Sequence, residues 1–135
     1  MLGRPTDPLS RTERFERARA YLEALGLRRY RAWIFGSVAR GDFTKESDTD
    51  VLIVSDALPE DRKQRLDLVF DARVIAPEIE PVAWLGKEWK ERESRGDPFL
   101  AILKREAVLV EARTEGDPGH QPDPSGRDDA DAPGS

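Results

Sequence analysis

Between Phe35 and Asp56 the chain reads Phe-Gly-Ser-Val-Ala-Arg-Gly-Asp-Phe-Thr-Lys-Glu-Ser-Asp-Thr-Asp-Val-Leu-Ile-Val-Ser-Asp. Glycine at position 36 lets backbone N–H groups approach an anion with no Cβ in the way, and the Ser37 hydroxyl adds a donor. If a short helix begins at Ser37, its N-terminus adds partial positive charge where a phosphate would sit. Arg40 is placed to grip polyphosphate oxygens with two parallel hydrogen bonds. Asp42 either caps the turn after Gly41 or orients Arg40.

Asp48 and Asp50 stand one residue apart, about a dozen residues past the Gly36-Ser37 pair. Side chains alternate faces along a strand, so these carboxylates converge on one spot. Two anions that close repel unless a cation lies between them. A hard cation such as Mg²⁺ suits oxygen ligands and takes further oxygens from substrate phosphates. Such a centre needs a third acid to deprotonate the attacking group or to share a second metal. The stretch Glu78-Ile79-Glu80-Pro81-Val82 offers two glutamates expected on one face, of which Glu80, deeper in the apolar run, is preferred over Glu78.

The elements that must position these residues are legible around them. Ser10 and Glu13 form a capping box; Phe15, Ala18, Leu22 and Leu25 recur at helical spacing; Gly26 supplies the stop. The arginines of this helix, Arg11, Arg14, Arg17 and Arg19, alternate with Glu13, Glu16 and Glu23 and read as a solvated face. Arg31 to Phe35 reads as a strand. Thr49 to Ser55 reads as another, and its continuous run Val51-Leu52-Ile53-Val54 suits a buried central position. Pro59 opens a helix expected to turn Leu66, Val69 and Phe70 inward.

Glu78 to Leu85 forms a third strand, which Pro81 assigns to an edge or a bulge, since proline cannot donate to a ladder. A short charged helix from about Lys87 carries Trp89. Asp97 caps a further helix with Pro98 in its first turn and Phe99, Ile102 and Leu103 on its apolar side. Ala107 to Glu111 is the last strand. This order predicts an α/β (α+β) fold, a small mixed sheet covered by helices. Trp33, Trp84 and Trp89 are expected to pack in the core.

Of 135 residues, 1–9 read as a lead-in, 10–113 as one folded domain, and 114–135 as a disordered acidic tail rich in Gly and Pro. The net charge of −5 resides in that tail, while residues 1–113 balance 21 basic against 21 acidic side chains. The folded part therefore lacks the basic bias of a dedicated nucleic-acid binder. His120 falls in the tail and is assigned no catalytic role. The chain has no cysteine, which excludes disulfides and thiolate zinc sites. No apolar run spans a bilayer and no signal-peptide core precedes the first helix, so a cytoplasmic protein is expected.

Gly36-Ser37-x-x-Arg40-Gly41-Asp42 followed by Ser47-Asp48-x-Asp50 resembles the signature of the DNA polymerase β-like nucleotidyltransferases, and most of all their minimal nucleotidyltransferase group. The resemblance, extended by the element order over roughly residues 10–112, implies the polymerase β-like core. It implies Gly36 and Ser37 on the triphosphate of ATP, two Mg²⁺ ions on Asp48 and Asp50, and a third acid. That acid is commonly Asp in the family; here the candidate is Glu80.

Larger relatives carry an extra helical domain for the acceptor, for which residues 10–113 leave no room. The resemblance thus implies transfer of AMP to a hydroxyl on a partner, a small helical HEPN-type toxin in a toxin–antitoxin pair. Two alternatives remain: a non-catalytic antitoxin acting by occlusion, and a homodimeric small-molecule adenylyltransferase of the antibiotic-modifying type.

Overall fold

The computed structural model describes residues 8–114. The tail read as disordered lies outside the described residues, apart from Thr114, which ends the last strand.

Helix α1 spans Arg11–Leu25, with the Ser10–Glu13 capping box formed in both directions and Gly26 closing it in the left-handed conformation at φ 75°. Strand β1 (Arg29–Phe35) runs into the one-turn helix α2 (Ser37–Arg40), and β2 spans Thr49–Val54. Helix α3 (Arg62–Asp71) continues as a 3-10 turn, Ala72–Ile75, before β3 (Ile79–Trp84). Helices α4 (Gly86–Ser94) and α5 (Pro98–Glu106) precede β4 (Val108–Thr114). The last strand therefore reaches beyond the Glu111 limit expected from sequence, because Thr114 finds a pairing partner in Arg29.

The four strands form one mixed sheet in the order β3-β2-β1-β4. β1 is antiparallel to β2 and β4, and β2 is parallel to β3. Alternation sends one set of side chains to each face. Ala32, Ile34, Val51, Ile53 and Ile79 pack against Ala18, Tyr21 and Leu22 of α1 and Val69 of α3. The other face holds Trp33, Leu52, Val54 and Trp84 under Trp89 of α4 and Leu100 and Leu103 of α5. The tryptophans serve as packing, as expected: Trp33 stacks on Trp89 at 6.3 Å and Trp84 meets it at 6.1 Å.

Three expectations about side-chain direction are corrected. On α3, Leu66 is 54% exposed and Phe70 is at the surface, whereas Arg65 is buried. Arg65 turns inward because its guanidinium satisfies the carbonyls of Pro59, Glu60 and Ala83 and pairs with Glu88 at 2.7 Å, which rotates the helix face. On α5, Leu100 takes the inward place expected of Ile102, which is exposed. On α1, Arg14 is not solvated but 2% exposed.

β3 is an edge strand, as Pro81 suggested. Proline has no N–H to offer, and the Ala83 carbonyl is taken by Arg65 at 3.3 Å. At the other edge, the pairing of β4 with β1 shifts register between Ala32 and Trp33.

Candidate active site

Three strand ends meet where the sequence motif falls. Phe35 pairs with Asp50 across β1 and β2, and Asp50 pairs with Glu80 across β2 and β3. Asp50 shares the face of Leu52 and Val54, and Glu80 that of Val82 and Trp84, by the two-residue period of a strand. Asp48, one period before Asp50 and just outside β2, is exposed, as is Glu80, while Asp50 is partly covered. Asp48, Asp50 and Glu80 thus gather at one end of the tryptophan-bearing face.

Their mutual influence is readable in protonation. Burial pushes the Asp50 carboxyl above its ordinary value, the charges of Asp48 and Glu80 push it further, and Arg40 pulls the other way. A cluster of carboxylates that raises one member's pKa is a place where a cation would be favoured.

Gly36 brings the turn expected to hold phosphate up against these acids. It caps α2 at φ 77°, a conformation that L side chains rarely adopt. A Cβ there would overlap Oδ2 of Asp50 and come within 3.3 Å of its Cγ. Glycine is therefore required twice at this position, by the backbone and by the neighbouring carboxylate. The helix expected at Ser37 is present, and no side chain caps its first turn.

Arg40 leaves α2 to hydrogen-bond Asp42 at 3.2 Å and Glu106 of α5 at 3.3 Å. Asp42 therefore orients Arg40, one of its two expected roles. The pair of bonds occupies the guanidinium expected to grip polyphosphate and leaves it within electrostatic reach of Asp50.

The two glutamates of β3 do not share a face, contrary to the sequence reading. Glu78 precedes the strand proper and turns toward α1, where Arg17 binds it through Nε at 2.5 Å and Nη2 at 2.9 Å. Burial alone would raise the Glu78 carboxyl, but the Arg17 hydrogen bonds, a backbone hydrogen bond and the charges of Arg17 and Arg14 together hold the group below its usual value. Glu78 is thus committed to an ion pair, and Glu80 is the acid left beside Asp50.

Sequence reasoning missed Arg14. It lies on the same helical stripe as Ala18, Tyr21 and Leu25, and that spacing was the available signal. Its guanidinium donates to the carbonyls of Ser47 (2.7 Å) and Thr44 (3.2 Å) and to the Thr49 hydroxyl (3.0 Å), while covering the Phe43 ring.

Among the described residues, no three His, Cys, Asp or Glu side chains form a ready-made metal cage. The donor set nonetheless fits Mg²⁺, which is ordinarily held by one or two carboxylates and completed by substrate phosphates and water. Asp48 and Asp50 would be the protein's share, with Glu80 adjoining.

A mixed sheet that sets a glycine-turn anion cradle against a carboxylate cluster is the scaffold of a nucleotidyl-transfer domain. The fold recurs in the crystal structure of a candidate nucleotidyltransferase from Sulfolobus solfataricus, with a TM-score of 0.53 over 80% of this chain and 92% of that one. At 22% identity that likeness is one of fold. Residues 16–97 match the nucleotidyltransferase domain family, and the chain belongs to it. No protein of curated function matches the chain. No helix among the described residues is long and apolar enough to cross a membrane.

Proposed function

We propose that this nucleotidyltransferase domain transfers AMP from ATP to a hydroxyl on a partner protein, in a Mg²⁺-dependent reaction in the cytoplasm. The observation that carries the proposal is the strand register that sets Gly36, Asp50 and Glu80 side by side, with Asp48 one period away. Bound Mg²⁺ would neutralise charge on the triphosphate and lower the acceptor's pKa.

The chain's own groups supply the rest. Asp48 and Asp50 hold the metal-bound triphosphate, and the Ser37 hydroxyl with the N–H groups after Gly36 binds its oxygens. The acceptor oxygen forms a bond to the α-phosphorus as the bond to the bridging oxygen breaks, and pyrophosphate leaves. Glu80 takes the acceptor's proton. Positioning the attacking oxygen in line is the main requirement of such a step.

Asp48, Glu80 and Arg40 are exposed, so the acids are open to a large acceptor. This supports an acceptor presented by another protein, for which we propose a small helical HEPN-type toxin neutralised by adenylylation. The test is labelled ATP and Mg²⁺ incubated with the protein, with and without the product of the neighbouring gene. Label on that protein's hydroxyl supports the proposal. Rapid labelling of a free antibiotic or nucleotide would replace it with a small-molecule enzyme, and neutralisation without label would replace it with occlusion.

A further inference from the structure

We infer that Arg14 is the positioning residue of the site, fixing Asp48 from behind the sheet without touching substrate; this rests on the nucleotidyl-transfer reading. Asp48 lies just outside β2, in a polar connection whose side chains are mostly exposed. Repulsion from Asp50 and Glu80 would swing such a residue outward. One atom nevertheless binds both neighbours of Asp48, the preceding residue by its backbone carbonyl and the following one by its side-chain hydroxyl. Arg14 Nη1 binds the carbonyl of Ser47 at 2.7 Å and the hydroxyl of Thr49 at 3.0 Å.

Nη2 extends the grip to the Thr44 carbonyl, closing the tight turn in which Ser47 and Thr44 also bind each other. Thr49 is fully buried and faces α1, so Arg14 works on the side of β2 opposite the acids. A planar guanidinium can serve three oxygens in fixed directions, whereas a lysine ammonium cannot reproduce that fork. Supporting contacts of this kind ordinarily govern how tightly a metal is held.

The experiment measures Mn²⁺ affinity by electron paramagnetic resonance, with a non-hydrolysable ATP analogue present, beside the thermal midpoint. Arg14→Lys should weaken Mn²⁺ binding about tenfold. Thr49→Val, which keeps shape and removes one of the oxygens, should weaken it about threefold and decides the matter if Arg14→Lys does not fold. Arg17→Met, one turn along the same helix, breaks the Glu78 pair and serves as the control: it should lower the midpoint and leave Mn²⁺ affinity unchanged. Parent-like Mn²⁺ binding in both Arg14→Lys and Thr49→Val would overturn the inference, as would equal weakening in Arg17→Met. A parent protein that binds no Mn²⁺ with the analogue would instead overturn the nucleotidyl-transfer reading, and this inference with it.

Discussion

Glu78 and Glu80 stand two residues apart at the start of one strand and live in opposite electrostatic worlds. Glu78 is 2% exposed, faces α1 and is neutralised by Arg17. Glu80 is exposed beside Asp50, whose own carboxyl is pushed upward by burial and then by the charges of Asp48 and Glu80. The first arrangement is a satisfied buried carboxylate; the second costs stability that a bound cation would relieve. The face of the sheet that α1 covers thus pairs its buried charge, and the end of the other face carries the acids to which the proposed function assigns binding.

Five substitutions test that division, beginning with the most severe. Asp48→Asn or Asp50→Asn should reduce nucleotidyl transfer about a thousandfold, by loss of several kcal/mol of charge stabilisation. The fold should survive, because Asp48 is exposed and the ionised Asp50 penalises folding; calorimetry and transfer assays read the two effects separately. A variant that transfers normally would erase the distinction between the regions.

Glu80→Gln and Glu78→Gln then separate the two glutamates directly. The first should lower turnover about a hundredfold while nucleotide affinity stays near the parent's. The second should leave turnover largely intact and cost about 2 kcal/mol of stability, since Arg17 keeps only a neutral acceptor. Urea unfolding beside steady-state rates gives both numbers, and an exchange of the two phenotypes would reverse the assignment.

Gly36→Ala tests the point where the cradle meets the acids. The strained φ and the collision with Asp50 should cost about 1–2 kcal/mol and weaken nucleotide binding together. Chemical denaturation and ATP titration would follow the two losses, and an unaltered Asp50 environment would show that the contact is slack.

The smallest effect is one of pH. The folded Asp50 carboxyl titrates above its unfolded value, so its ionised form penalises the fold. That penalty is complete above the raised folded pKa and vanishes below the ordinary carboxylate value. Without divalent metal, Asp50→Asn should therefore have the higher thermal midpoint at neutral pH, and the gap should close on acidification. Glu78 has the opposite sign: its lowered carboxyl stabilises the fold above the ordinary carboxylate value, and this is lost as pH falls through the folded pKa. A gap that widened in acid would contradict the Asp50 assignment.

Much of this molecule could be read from residues close together in the chain. The Ser10 and Asp97 caps, the Gly26 stop, the apolar run of β2 and the placement of Pro81 at an edge are local signals, and they located the elements. The candidate site was legible for the same reason, since Gly36 to Asp50 is one continuous segment. What escaped were contacts closed over long separations. Arg14 reaches residues thirty or more positions away, and Arg65 reaches β3 and α4. Each arginine occupies an inward place on its helix that hydrophobic periodicity reserves for an apolar side chain. The inward turn of Arg65 is what leaves Leu66 and Phe70 at the surface. The two glutamates of β3 were assigned a common face because the strand was started one residue early, at Glu78 rather than Ile79.

The edges of the sheet carry a consequence for how this chain can associate. An open strand is a template that any other extended chain can copy, and proteins with such borders risk joining into fibrils. Along β3 the template is interrupted, with no amide hydrogen at Pro81 and a carbonyl already claimed at Ala83. Along β4 the irregular register twists the border out of line. Both interruptions work against indiscriminate backbone pairing, which accepts almost any sequence.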